Sequence, residues 1–88
     1  MQIELSNIKN KKNIIDIRSK LDFNKKNIEG SVNIPKIILM SSPEQYLKKH
    51  ITYFLICDKG KVSLICAKML NALGYKCYSV AGGIEMNS

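Results

Sequence analysis

The segment Cys57-Asp58-Lys59-Gly60-Lys61-Val62-Ser63 holds the side chains best suited to chemistry. It follows the most apolar run of the chain, Ile51-Thr52-Tyr53-Phe54-Leu55-Ile56, and precedes a helix-like stretch from Ser63 to Leu73 that stops at Gly74. This order predicts a cysteine at the tip of a buried strand, on a short turn that opens a helix. Such a turn aims successive backbone N–H groups at whatever the sulfur carries. A thiol at such a turn ionises more readily and serves as a nucleophile for, or a carrier of, an anionic group. Gly60 permits the backbone turn that lets consecutive N–H groups converge. Lys59 and Lys61 add positive charge, Ser63 can cap the helix and hydrogen-bond the sulfur, and Asp58 works against ionisation. The plain alternative for Cys57 is an inert core thiol, the usual state of a free cysteine. Cys66, mid-helix among apolar residues, reads as such a core thiol, and Cys77, near Tyr75 and Tyr78, as half-buried packing.

The elements that must position this loop read as alternating strands and helices. Short strands are predicted at 3–5, 13–17 and 32–34, the last stopped by Pro35. Leu21 to Asn27 reads as a helical turn anchored by Leu21 and Phe23. Ser42-Pro43-Glu44-Gln45 reads as a helix start, with Ser42 as N-cap and Gln45 closing a capping box, and that helix should run to Lys49-His50. Ile51 to Ile56 has the pattern of a central parallel strand covered on both faces. The helix from Ser63 to Leu73 is apolar except at Lys68 and Asn71, so most of its girth should be buried. Cys77 to Val80 reads as the last strand, followed by a tight turn at Ala81-Gly82-Gly83. The alternation predicts an α/β domain with a mainly parallel sheet, and sites in such sheets lie at the carboxyl ends of strands.

The bulk properties narrow the function classes. The 88 residues suit one small domain, and 45% apolar content supports a real core. No apolar run approaches the ~20 residues that span a bilayer, and the N-terminus lacks the basic and apolar regions of a signal peptide, so a cytoplasmic location is the default. Three cysteines are an odd number, with no Cys-x-x-Cys pair and a single histidine, His50. This argues against a disulfide framework and a zinc site; no metal and no cofactor is expected. His50 precedes the strand that Cys57 follows, which argues against a Cys–His protease. The net charge is +7, and every basic residue but Arg18 is a lysine. The lysines are scattered without interleaved aromatics, so attraction of small anions is expected rather than specific nucleic-acid binding.

With these elements in order, the chain resembles the rhodanese-like (sulfurtransferase) family. Ile14-Ile15-Asp16-Ile17-Arg18-Ser19 resembles the family's apolar strand ending in Asp-x-Arg. Asp22-Phe23 and Asn27-Ile28-Glu29-Gly30-Ser31-Val32-Asn33-Ile34-Pro35 resemble its Glu-Phe and His-Ile-x-Gly-Ala-x-Asn-Ile-Pro. Phe54 to Ser63 resembles its strand and Cys-x-x-Gly loop, and Leu73-Gly74-Tyr75 with Ala81-Gly82-Gly83-Ile84 resembles its closing motifs. The match spans roughly residues 13 to 85. It implies a five-stranded, mainly parallel sheet flanked by helices, forming a single domain over residues 1–88, and a sulfurtransferase in which Cys57 is the catalytic residue. Cys57 would take a sulfane sulfur from a donor such as thiosulfate, hold it as a persulfide, and pass it to cyanide, a thiol or a protein acceptor. Residues Asp58, Lys59, Gly60, Lys61, Val62 and Ser63 would bind the donor and the persulfide, while Asp16 and Arg18 brace the fold, Arg18 against Asp22. A monomer or weak dimer is expected, with no membrane partner. The departures are Asn27 in place of His, Val62 where many members carry Arg, no Trp after Ile84, and a chain that ends before the usual final helix.

Two other readings belong to different classes. Related folds use a Cys-x5-Arg loop to hold phosphate, but the residue six after Cys57 is Ser63, so the bidentate clamp of a phosphatase is absent. A non-catalytic binding module is the other alternative, and a cysteine kept within a complete loop argues against it.

Overall fold

The computed structural model describes residues 1–87. Strands Gln2–Ile3 (β1), Ile14–Asp16 (β2), Val32–Asn33 (β3), Thr52–Ile56 (β4) and Lys76–Val80 (β5) form one sheet in the order β1-β5-β4-β2-β3. Every pairing is parallel, with Ile14 opposite Phe54, Asp16 opposite Ile56, and Tyr53 opposite Cys77. All five carboxyl ends therefore lie along one edge. Helices Lys20–Lys25 (α1), Lys36–Ser41 (α2), Lys61–Ala72 (α3) and Gly83–Asn87 (α4) complete the domain.

Alternation along β4 and its neighbours divides the core between two faces, as the two-residue period of a strand requires. Ile15, Tyr53, Leu55 and Cys77 pack with Leu39 of α2 and with Cys66, Ala67 and Leu70 of α3. Ile14, Ile56 and Val80 pack on the other face with Ile8, Ile28 and Ile84. Leu39, Leu55, Ile56, Leu70 and Val80 are wholly buried; burial of a side chain this size contributes about 1.5–3 kcal/mol. Among the described residues, no helix is long and apolar enough to cross a membrane.

Three sequence expectations are corrected here. The helix expected from Ser42 to His50 is a single 3-10 turn, Pro43–Gln45, and Ser42 makes no side-chain cap. The Ser-Pro pair instead ends α2, which lies just before it. Proline disfavours a helical residue ahead of it, and Ser42 leaves the helix at φ −150°. The helix after Cys57 starts at Lys61, not Ser63, from Gly60 in the left-handed region. Only one side of α3 is buried, through Ser63, Cys66, Ala67 and Leu70, while Val62, Ile65, Met69 and Leu73 are exposed. No element of the described residues covers that second apolar stripe.

Local hydrogen bonds explain the remaining boundaries. Ser19 caps α1 by accepting the Asp22 N–H at 3.1 Å. Asn71, near the end of α3, accepts the Cys77 N–H at 2.7 Å and donates to the Cys77 carbonyl at 2.9 Å. That side chain fixes the start of β5 against α3. Cys77 is buried at 2% exposure rather than half-buried.

Candidate active site

Cys57 follows β4 directly and lies at the carboxyl edge of the sheet. Its sulfur is buried, at 5% residue exposure. The Gly60 N–H donates to Sγ at 3.2 Å and the Ser63 N–H donates to it at 3.3 Å. The thiol in turn donates to Ser63 Oγ at 3.2 Å. Two backbone donors thus converge on one sulfur, an arrangement that favours negative charge there. Gly60 achieves this at φ +94°, where an added Cβ would also stand 3.1 Å from the Gly82 nitrogen.

The peptide groups of the loop are turned with carbonyls outward, and α4 holds them so. The Ile84 N–H donates to the Cys57 carbonyl at 2.8 Å and the Glu85 N–H to the Asp58 carbonyl at 3.0 Å. The first turn of α4, whose N–H groups lack helical partners, thereby caps the loop from behind. A Cβ on Gly83 would collide with the carbonyl oxygens of Cys57 and Asp58. The Ala81-Gly82-Gly83 turn is thus the entry to a short helix. Asn87 ties that helix back by donating to the Ala81 and Gly83 carbonyls at 2.9 and 2.8 Å.

Ser63 is part of α3, not its cap. Its hydroxyl lies 2.6 Å from that of Ser79 on β5, and Ser79 donates to the Gly60 carbonyl at 3.2 Å. Both serines are fully buried. Ser79 was not anticipated from the sequence. The available signal was a lone hydroxyl inside the last strand.

Asp16 is buried at 0% exposure, and Arg18 grips it with Nε at 3.0 Å and a terminal nitrogen at 2.8 Å. The Arg18 backbone N–H also donates to Asp16 Oδ1 at 3.0 Å. Hydrogen bonding to Asp16 raises the Arg18 pKa, so the guanidinium stays charged. This corrects the expected pairing with Asp22. A buried carboxylate needs a partner, and Asp16 takes the arginine two residues away. The second nitrogen of Arg18 lies 3.7 Å from Asp58 Oδ1. Arg18 therefore links the end of β2 to the loop and offsets the Asp58 charge beside the thiol.

Above Cys57 opens a cavity of about 390 Å³ lined by Arg18, Lys36, Asp58, Lys59, Lys61 and Val62, among others. Lys59, Lys61 and Val62 line it together, with Val62 43% exposed. Lys36, the first residue of α2, was missed because that helix was not foreseen. Neither Cys66 nor Cys77 lines this opening, and burial raises the pKa of each, Cys77 to about 11. His50 precedes β4, at the opposite end of the strand from Cys57. No cluster of three metal-ligating side chains occurs among the described residues.

Comparison with known proteins agrees with this architecture. The family model for the rhodanese-like domain matches residues 1–86. A tRNA sulfurtransferase of Desulfurococcus amylolyticus is 28% identical over 81 residues, 92% of this chain and 16% of that protein. An adenylyltransferase and sulfurtransferase of Ogataea parapolymorpha is 29% identical over 72 residues, 81% of this chain and 18% of that protein. The chain thus spans less than a fifth of the length of these curated relatives. Among solved structures, a rhodanese-related protein from Thermoplasma volcanium superposes with a TM-score of 0.82 at 27% identity, covering 97% of this chain and 87% of that one. On the match over residues 1–86 and this shared fold, the chain belongs to the rhodanese-like domain family.

Proposed function

We propose that the protein is a sulfurtransferase that carries sulfane sulfur as a persulfide on Cys57. The observation that carries this reading is the pair of N–H groups, from Gly60 and Ser63, aimed at one buried sulfur. The Cys57 thiolate attacks the outer sulfur of thiosulfate or a comparable donor. The donor's S–S bond breaks, its electron pair leaves with sulfite, and Cys57 keeps the outer sulfur as a persulfide anion. A nucleophilic acceptor such as cyanide or a thiol, free or on a protein, then attacks that sulfur and regenerates the thiolate. Family membership and the sulfurtransferase relatives support this chemistry. The loop supplies positive charge from Lys59 and Lys61, and Gly60 supplies the turn. Asp58 is held by Arg18, and Val62 forms an apolar margin. Three free cysteines suit a reducing, cytoplasmic setting.

Mass spectrometry after incubation with thiosulfate tests the reading. One added sulfur atom, about +32 Da, should appear on Cys57 and be removed by cyanide. Cys57→Ser should abolish both loading and thiosulfate:cyanide transfer, while Cys66→Ser, which does not line the cavity, should retain them. Absence of any adduct on the wild-type protein would sink the proposal, and equal loss in both variants would mean that another thiol carries the sulfur.

A further inference from the structure

The cations around the Cys57 cavity are not equivalent. Arg18 is committed, gripping Asp16, donating to the Lys26 carbonyl and reaching Asp58. Lys59 and Lys61 belong to the loop that cradles the sulfur. Lys36 comes from a different wall. The sheet order places β2 between β4 and β3, so the loop after β4 and the start of α2 after β3 face each other across the end of β2. The Lys36 N–H donates to the Ile17 carbonyl at 2.9 Å, which fixes the start of α2 at the cavity rim. Both ion pairs formed among the described residues use Arg18, leaving Lys36 with no carboxylate partner. Burial raises the pKa of the nearby Cys66 thiol, and the Lys36 charge works against that rise.

An anionic donor presents two ends to this site. The outer sulfur must meet Cys57 Sγ, which the Gly60 and Ser63 N–H groups hold. The departing end lies on the far side of the breaking S–S bond and carries the sulfonate charge already present in the bound donor. It needs a cation beyond the loop, and Val62 supplies none.

We propose that Lys36 is the donor-binding residue for that end, pairing with the sulfonate of thiosulfate as Cys57 attacks the outer sulfur. The inference rests on the sulfur-transfer reading and adds a preference for donors with a compact anionic leaving group. Lys36→Gln should raise the KM for thiosulfate about fivefold, the range of a solvent-accessible ion pair, with kcat within about twofold. Lys36→Arg should restore the KM. Lys68→Gln, which removes an equal charge from exposed α3 outside the cavity, should leave it unchanged. Methyl methanethiosulfonate, a neutral reagent that transfers a methylthio group to the same thiol, should react with Lys36→Gln at the wild-type rate. An unchanged thiosulfate KM in Lys36→Gln, with the wild type loading normally, overturns the assignment. Equal slowing toward the neutral reagent also overturns it, since the lysine would then be shaping the loop. A wild-type protein that takes no sulfur from thiosulfate defeats the underlying reading instead.

Discussion

Cys57 owes its setting to backbone groups more than to side chains. Its hydrogen-bond donors are the amides of Gly60 and Ser63, and neither depends on a residue that titrates. This part of the site was legible in the sequence, because a cysteine after an apolar run, a glycine three residues on and a helix beyond dictate a converging turn. The buried hydroxyl pair was half legible. Ser63 was expected to meet the sulfur, but Ser79 lies on another strand, and a single sequence carries no sign of contacts across strands. Ser79 bonds both the Ser63 hydroxyl and the Gly60 carbonyl. Ser79→Ala should therefore take its side-chain donor from the Gly60 carbonyl and one of two partners from the buried Ser63 hydroxyl, at a cost of about 1–3 kcal/mol. In a domain this size that lowers the melting temperature by roughly 4–24 °C, and sulfur loading on Cys57 should slow as the loop loosens. A melting temperature within about a degree of wild type would show that water replaces the hydroxyl without loss.

Element boundaries tell a similar story at the next scale. The strands were readable within a residue or two, since β-branched and apolar runs leave few alternatives. The helices were less so. Pro43 reads as the start of a helix running to His50; it opens only the 3-10 turn Pro43–Gln45, and the same Ser-Pro pair ends α2. The Gly82-Gly83 pair looked like a turn alone, since five residues are too few for a helical pattern to declare itself. In place, α4 caps the carbonyls of Cys57 and Asp58, so Gly83→Ala sets a methyl group against both. With φ at +59° as well, this substitution should destabilise the fold by about 2–4 kcal/mol and abolish persulfide formation. Retained loading on Cys57 would show that the loop holds its shape without α4. The outer stripe of α3 predicts the opposite behaviour. Ile65 is 59% exposed, so Ile65→Lys should change stability by less than about 0.5 kcal/mol, measured by urea unfolding. A large loss would mean that α3 is covered in solution, as its composition first suggested.

For the whole molecule, the parallel sheet and the single edge that carries Cys57 follow from alternating elements, and a net charge of +7 provides a field that favours anions. Its stability should also depend on pH through thiols that take no part in the chemistry. Burial pushes Cys77 from 9.0 to about 11, and it raises Cys66 in the same direction. Between these values the unfolded chain releases the Cys77 proton while the folded protein keeps it. The folded state then binds more protons, so unfolding becomes easier as pH rises. The stabilisation is complete below pH 9, falls through the window to pH 11 and is lost above it. For two pH units the thiol's share is about 3 kcal/mol. Lysines and tyrosines titrate in the same range in the unfolded chain, so the measurement is a comparison. Urea midpoints of wild type and Cys77→Ala, taken from pH 8 to pH 11, should converge as pH rises, because only the wild type carries the thiol whose burial opposes ionisation. Parallel curves would show that Cys77 reaches water in the folded state, contrary to its 2% exposure.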